Sequence, residues 1–221
     1  MTLAAIPFAI VMFIIVVISL TFHEYAHAAT ANALGDPTAK HLGRLSLNPL
    51  VHIDPIGTVL LPLMLSLIGL GAFGWAKPVP VNPGNFRRRR RDEALVSIAG
   101  PGANLVLATV ATVVVRLLNP SANITEAKAF ILFIFLSFIR INIFLMVFNM
   151  LPIMPLDGSG VIQYFMSPVT LFAYRQMGQK LILIFMLIFL LTNWFHRFYL
   201  FPVSNLFLFI LQKLAGVRLT L

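Results

Sequence analysis

Two histidines, His23 and His27, lie four positions apart at the end of an uncharged stretch, and Glu24 directly follows the first of them. Residues at positions i and i+4 share one face of an α-helix, so both imidazoles can bind the same Zn²⁺ ion. The carboxylate between them can then reach a water molecule that the metal activates. Ionisable side chains at membrane depth are costly and therefore indicate function. The spacing favours a helical zinc site with Glu24 as general base over two histidines that merely face a polar cavity.

A catalytic zinc ion usually has three protein ligands and one open position for water. The chain contains no cysteine, so the third ligand must be a histidine, an aspartate or a glutamate. Glu24 is assigned as the base, Asp92 and Glu93 follow five arginines, Asp36 lies at a helix end and Glu126 lies in a polar loop. The candidates that we keep are Asp54, Asp157, His41 and His52. Asp157 ranks ahead of Asp54, because it closes a long apolar segment that two prolines break. A buried acid at that depth needs a partner, and a metal ion would be one.

The composition indicates a membrane protein. Of the 221 residues, 59% are hydrophobic and 10% are charged, against roughly 25% charged in an ordinary soluble domain. A soluble globule of this size cannot hide so much apolar surface from water. We therefore expect one polytopic membrane domain over residues 1–221, with a first apolar stretch retained as a membrane helix. The net charge is +9, and in a membrane protein such an excess of Lys and Arg usually lies in the cytoplasmic loops. It does not indicate nucleic-acid binding, because the basic residues are not interleaved with aromatic residues.

Apolar segments and loops predict an all-α polytopic fold with about five membrane helices and one re-entrant segment. A span of about 30 Å of hydrocarbon needs about 20 residues in a helix. The apolar segments are residues 3–22, 57–72, 94–115, 129–156, 181–195 and 203–214. Segment 57–72 is short and is interrupted by glycine and proline. Residues 42–47 partly alternate between apolar and polar types, which predicts a short β element. Its free edge would hold an extended substrate by strand addition.

Three motifs, taken in order along the chain, resemble the site-2 protease family of intramembrane zinc metalloproteases. They are His23-Glu24-Tyr25-Ala26-His27, then Ala99-Gly100-Pro101 with Asn104, and then Asn149…Pro152…Leu156-Asp157-Gly158. The loop segments 35–40, 43–49, 52–55 and 74–80 are similar to the compact bacterial branch of that family, which carries no PDZ or CBS domain. The resemblance covers about residues 15–165.

This resemblance implies one zinc ion per chain, bound by His23, His27 and Asp157, with Glu24 as the general base. It also implies that Asn149 holds the substrate carbonyl or the oxyanion. The catalytic core would cover about residues 4–165, and the C-terminal helices, residues 176–215, carry no family motif. The implied function is cleavage of peptide bonds in or near transmembrane segments of membrane proteins. The implied partners are a transmembrane protein substrate and the lipid bilayer, without nucleic acid; the oligomeric state stays unknown.

The positions of the candidate ligands constrain the membrane topology. Asp157 can share one metal ion with His23 and His27 only if both stretches of chain end on the same side of the membrane. If segment 57–72 crosses fully, they lie on opposite sides; if it dips in and returns, they meet. Re-entrant backbone is tolerated where protein shields it. With re-entry, twelve Lys and Arg residues fall on the side of the metal and three on the other. By the positive-inside rule, the active site then lies near the cytoplasmic face of the cell (inner or plasma) membrane.

Two other functions fit part of the pattern. A membrane protein that binds or transports metal ions could use the same His/Asp site, but it would leave Glu24 without a role, and the chain lacks the inverted repeat common in transporters. A catalytically silent scaffold for membrane helices would tolerate the loss of Glu24, which is present. The protease interpretation uses all four residues.

Overall fold

A computed structural model of the chain describes residues 6–60, 64, 74–118, 125–178, 197 and 201–215. These residues form helices and turns, with no strand among them. The α-helices are α1 (Ile6–Ala33), α2 (Thr38–His41), α3 (Arg89–Leu117), α4 (Glu126–Asn149), α5 (Asp157–Phe165), α6 (168–178) and α7 (Phe201–Ala215). Shorter 3₁₀ turns occur at Pro49–Val51 and Pro83–Asn85, and a π-helical turn at Pro55–Leu60.

Helices α1, α3 and α4 have 28, 29 and 24 residues and are long and apolar enough to cross a membrane. A rise of about 1.5 Å per residue makes each of them longer than a hydrocarbon core of about 30 Å. The prediction of an all-helical membrane protein is therefore confirmed. The predicted helix at residues 181–195 lies outside the described part of the chain. Helix α7 covers the predicted segment 203–214 and has 15 residues.

Helix α3 is central: it packs against α1, α4 and α5, while α1 also contacts α4. The main core lies between α3 and α4, where Ala108 and Ala111 meet Ile139 and Ile143, and α7 contributes Leu208. Small residues let two helix backbones approach closely, which is how helices pack where lipid replaces water. The bundle places His23 and His27 of α1 against the first half of α3.

A buried aspartate ties the first loop to the second. The turn after α1 depends on Gly35, whose φ of +106° favours glycine. Asp36 is fully buried and accepts hydrogen bonds from the Thr38 amide at 3.1 Å, the Asn82 amide at 2.7 Å and the Asn85 side chain at 2.7 Å. Burial alone would raise the pKa of Asp36, but these donors lower it below its ordinary value. The carboxylate therefore stays charged and holds the two loops together.

The predicted strand at residues 42–47 is wrong, because this segment forms turns. Gly43 has a φ of +69°, and no neighbouring strand supplies the ladder that a strand needs in the described residues. Arg44 is buried instead, and its guanidinium donates hydrogen bonds to the carbonyls of Lys77 and Pro78. The partial alternation reflects the packing of one loop on another. The predicted edge for strand addition is therefore not formed there.

The predicted apolar segment 129–156 is one helix followed by a turn. Helix α4 ends at Asn149, and residues 150–156 form turns and bends that include Pro152 and Pro155, the latter after a cis peptide bond. Proline lacks an N–H donor and its ring clashes with a continuing helix. Asp157 is therefore the first residue of α5. The prediction that it ends the preceding helix is wrong.

Candidate metal centre

Two histidines in the C-terminal half of α1, His23 and His27, meet Asp157 at the start of α5, and we call these three residues the metal cluster. The Nε2 atoms of the two histidines lie 3.0 Å apart. Asp157 Oδ2 lies 3.1 Å from His23 Nε2, and Asp157 Oδ1 lies 3.3 Å from His27 Nε2. In the described part of the chain, this is the one group of His, Cys, Asp and Glu residues whose donor atoms lie close enough to share a metal ion, all within 4.8 Å.

The other ring nitrogens are bound to acceptors. His23 Nδ1 lies 2.6 Å from the side-chain oxygen of Asn104, and His27 Nδ1 lies 2.7 Å from the main-chain carbonyl oxygen of Val96. A carbonyl oxygen can only accept, so in the neutral rings the proton resides on Nδ1. Both Nε2 lone pairs therefore point toward Asp157, which is the tautomer and orientation that a metal ligand needs.

The donor set fits a zinc ion. Two lone pairs and a carboxylate face one another, and Asp157 Oδ2 is buried with no hydrogen-bond donor among the described residues. Such an arrangement is repulsive unless a cation lies within it. Ligand atoms about 2.0–2.1 Å from a tetrahedral zinc ion are roughly 3.3 Å apart, close to the separations in the metal cluster.

Two glycines allow the elements to approach this closely. Gly100 of α3 faces the imidazoles: a Cβ atom there would lie 2.6 Å from His23 Nε2 and would also collide with His27 Nε2. Gly158 follows Asp157, and a Cβ atom there would collide with the carbonyl of Met150. The glycines in the predicted motifs therefore have a steric role, because they let α3 and α5 close around the ligands.

Glu24 lies beside the cluster and is 9% exposed. Its Oε2 atom accepts a hydrogen bond of 3.1 Å from the amide of Val79, in a segment without regular structure that we call the strap, residues 74–82. Val79 stands between Pro78 and Pro80, so it carries the one N–H donor of these three residues. The Lys77 amide in turn donates to the His52 carbonyl at 2.9 Å. The Glu24 carboxylate is thus oriented by the backbone of a different loop.

The other candidate ligands serve different purposes. Asp54 caps the π-helical turn, accepting from the amides of Ile56 at 2.9 Å and Gly57 at 2.7 Å. His52 bonds through Nε2 to the Ser46 carbonyl at 2.8 Å. His41 ends α2 with an exposed side chain. The choice that the residues alone left open between Asp54 and Asp157 is therefore decided by position, since Asp157 lies at the histidines.

Asn149, the predicted oxyanion ligand, is the last residue of α4 and is partly buried. Its side-chain amide donates to the Leu145 carbonyl at 2.9 Å, within its own helix. Its carbonyl oxygen and amide therefore sit at the start of the turn that leads to Asp157. Its role in catalysis stays a prediction.

Three groups that support the site were not predicted from the sequence. Ser19 and Asn142 are fully buried and belong to a hydrogen-bond chain that ends at His23. Their signal was available, because a polar side chain inside an apolar membrane helix needs a partner. The Val79 amide left no signal, because a backbone donor is common to every residue except proline.

A cluster of two histidines and one aspartate that can bind a metal ion lies between apolar helices, with a glutamate beside it. These are the features of a membrane metalloprotein of the hydrolase class, in which the glutamate can act on a metal-activated water. The chain belongs to peptidase family M50, which it matches over residues 11–193. The predicted class, a site-2-type zinc metalloprotease, is confirmed at the level of the family.

Bacterial relatives cover most of the chain. A protein named as a zinc metalloprotease, YwhC of Bacillus subtilis, is 39% identical over 170 residues, 73% of each chain. Two proteins named as the zinc metalloprotease Rip2 are 31% identical (Mycolicibacterium smegmatis, 91% of this chain and 76% of the relative) and 33% identical (Mycobacterium tuberculosis, 85% and 71%). No solved structure matches the chain. The names of these relatives and the donor set of the metal cluster agree on zinc as the cofactor.

Proposed function

We propose that this protein is an intramembrane zinc metalloendopeptidase that cleaves peptide bonds in or near transmembrane segments of membrane proteins. The observation that carries the proposal is the meeting of His23, His27 and Asp157, two distant stretches of chain, inside an apolar bundle. Glu24 lies next to that cluster, within reach of the Val79 amide. Its membership of a peptidase family supports the reaction, and its apolar helices support the setting.

The roles of the residues follow from their chemistry. When bound, zinc supplies a Lewis acid that polarises the substrate carbonyl and makes water more acidic. Glu24 takes the proton from the attacking water and passes it to the leaving amine, as a general base and then a general acid. The Val79 amide holds Oε2, which leaves Oε1 to meet the water. Asn149 stabilises the negative charge that develops on the carbonyl oxygen.

The membrane topology that we propose retains about five helices and a re-entrant segment at residues 57–72. Contacts at its two ends support re-entry: the Trp75 amide donates to the Gly57 carbonyl at 3.1 Å, and the Thr58 hydroxyl donates to the Trp75 carbonyl at 2.8 Å. The chain thus returns at Trp75 to the level at which it left at Thr58. In this topology the metal cluster faces the cytoplasmic side of the plasma membrane, because the excess of Lys and Arg lies there.

The substrate that we propose is a transmembrane protein whose helix unwinds locally before cleavage. A membrane helix hides its carbonyl groups in internal hydrogen bonds, so the scissile bond must become extended to meet Glu24. The rest of the fold belongs to the same single protease domain over residues 1–221, with a catalytic core of about 4–165 and C-terminal helices at 176–215.

The central experiment replaces Glu24 with Gln and measures both cleavage and zinc. A purified transmembrane reporter in detergent micelles should be cut by the wild type, and Glu24→Gln should slow cleavage by at least about 100-fold while zinc content is unchanged. Glu126→Gln, at an exposed position in the first turn of α4, is the matched control and should cut normally. Normal cleavage by Glu24→Gln would rule out the proposed base and the reaction built on it.

The topology is tested by cysteine labelling, which is free of background because the chain has no cysteine. Lys40→Cys and Arg88→Cys are exposed positions on either side of segment 57–72. Re-entry predicts that an impermeant thiol reagent labels both from the same membrane face. Glu126→Cys, which lies across the membrane at the far end of α3 and α4, should be labelled from the opposite face. Labelling of positions 40 and 88 from different faces would contradict re-entry.

A further inference from the structure

Three polar side chains, Ser19, Asn104 and Asn142, lie fully buried where α1, α3 and α4 cross. They come from three helices that are otherwise apolar. An amide buried without a hydrogen bond costs several kcal/mol, about 2–7 depending on the reference state. Their presence therefore needs an explanation beyond packing.

The three side chains form a continuous hydrogen-bond chain that ends on a ligand of the metal cluster. Asn142 Nδ2 donates to Ser19 Oγ at 2.9 Å and to the Phe138 carbonyl at 2.9 Å. Asn104 Nδ2 donates to Asn142 Oδ1 at 2.8 Å. His23 Nδ1 then donates to Asn104 Oδ1 at 2.6 Å. We call Ser19, Asn142 and Asn104 the amide chain.

The direction of the amide chain is set at the end far from the metal. The Phe138 oxygen is a main-chain carbonyl and can only accept, so the NH₂ group of Asn142 must face it. Asn142 Oδ1 then faces Asn104, which must donate with its own NH₂ group. Turning Asn142 over would bring two NH₂ groups together and two carbonyl oxygens together. Asn104 Nδ2 also donates to the Ser19 main-chain carbonyl at 3.4 Å, a longer contact that favours the same orientation. The Asn142 oxygen at 2.8 Å is the closer acceptor, and with both acceptors on the NH₂ group, Asn104 presents its oxygen to His23.

We propose that Asn142, together with Ser19, is a positioning residue that acts on His23 through Asn104. It keeps the Asn104 oxygen toward His23, so that the proton stays on Nδ1 and the Nε2 lone pair faces the metal. The hydrogen bonds of the Asn142 side chain go to Asn104, Ser19 and Phe138, so it reaches the metal cluster through Asn104. The inference rests on the proposed function only in that His23 is taken as a zinc ligand.

A purely structural role would differ in one respect. Asn142 would then only join α1, α3 and α4, and its loss would weaken the bundle without changing the direction of the Asn104 amide. The two roles are separated by a substitution that makes position 104 independent of its neighbour. A carboxylate only accepts hydrogen bonds, so Asn104→Asp faces His23 with an oxygen whatever lies at position 142. A carboxylate behind a zinc-bound histidine is an arrangement that supports metal binding.

The experiment measures zinc affinity in detergent micelles by competition with a chromophoric chelator. Asn142→Ala should lower the affinity by about 10-fold, at the lower end of losses for groups behind metal ligands. Asn104→Asp in the Asn142→Ala background should restore it to within about threefold of the wild type. Absence of any loss in Asn142→Ala, or a loss that Asn104→Asp does not restore, would overturn the positioning role.

The matched control is Thr112→Ala, two turns further along α3. Thr112 is also buried, but its hydroxyl donates to the Ala108 carbonyl at 2.7 Å within its own helix. It should leave zinc affinity unchanged, and an equal loss there would mean that any buried polar deletion loosens the site. His23→Ala should lose the metal regardless, so retention of zinc by that variant would count against the metal site itself and not against the amide chain.

The tautomer of His23 can also be tested in the wild-type protein, where no substitution can disturb folding. In zinc-loaded protein with ¹⁵N-labelled histidine, the nitrogen shifts identify which ring nitrogen carries the proton. The amide chain predicts the proton on Nδ1 of His23, and a metal bound through Nδ1 would overturn the inference.

Ser19→Ala, a smaller deletion that leaves both amides in place, should lower zinc affinity by roughly two- to threefold, and an unchanged affinity would remove Ser19 from the proposal.

Discussion

His23 and Glu24 are neighbours in the chain, yet the rest of the protein holds them in different ways. His23 is oriented from within the membrane bundle, by the Asn104 side chain at 2.6 Å. Glu24 is oriented from the loop side, by the Val79 backbone amide at 3.1 Å. The first support is fully buried, and the second lies on a strap whose side chains are largely partly buried or exposed.

The difference matches the roles that we propose for the two residues, zinc ligand for His23 and general base for Glu24. A metal ligand keeps one proton state and one orientation, which a dry chain of amides enforces because each member has a single allowed direction. A general base must exchange protons with water and lie next to an incoming peptide. A backbone donor holds its carboxylate without adding a charge, and the loop that supplies it lies outside the long helices. The two supports can therefore be broken separately, and zinc affinity and cleavage rate report on them separately.

The largest effect is expected at Gly100, where α3 lies so close to the two imidazoles that no side chain fits between them. Gly100→Ala would place a methyl group against both imidazoles, so the rings must move apart. We expect zinc affinity to fall by at least about 100-fold, beyond the usual loss for a group behind a ligand, and cleavage to fall with it. Gly102→Ala is the matched control on the same helix, since a Cβ atom there has nothing within 4 Å. Equal zinc affinity in the two variants would show that the close approach of α3 is not needed.

The role of the strap in orienting Glu24 is tested by removing the backbone N–H group of Val79. Val79→Pro abolishes the N–H donor to Glu24. We expect the cleavage rate to fall roughly 10-fold, equivalent to about 1.4 kcal/mol, close to the lower end of the range for a hydrogen bond to a charged group. Zinc affinity should not change. Val79→Ala keeps the N–H and should cut at the normal rate; a rate loss shared by both variants would assign the effect to the lost side chain.

The smallest effect concerns the loops that carry the strap. Because hydrogen bonds lower the pKa of Asp36 in the folded state, its stabilising contribution is present above the ordinary value of 3.8. It is lost as the pH falls through the lower folded-state value. Asp36→Asn should lower the melting temperature in detergent by a few degrees at pH 7, and the gap to wild type should narrow below about pH 4. A gap that stays constant down to pH 3 would mean that the charge of Asp36 does not matter.

Some features of the site could be predicted from residue types alone. The i, i+4 spacing of His23 and His27 indicated a metal pair, because helix geometry is local and independent of the rest of the chain. The same local logic identified the apolar spans of α1, α3 and α4. It failed at residues 42–47, where alternation came from loop packing, and at Asp157, which begins a helix because the prolines before it end the previous one.

The sequence by itself determined that the chain is a membrane protein with a histidine pair on its first helix, since composition and short spacings carry that information without long-range contacts. Residue types ranked Asp157 ahead of Asp54 and the family resemblance implied it, but only the tertiary structure brought it to the histidines and decided which side-chain amide faces His23 and which loop holds Glu24. Those partners lie between 55 and 134 positions away in the chain, counted from Glu24 to Val79 and from His23 to Asp157. Contacts at such separations depend on how helices pack, and packing depends on the whole set of side chains at once.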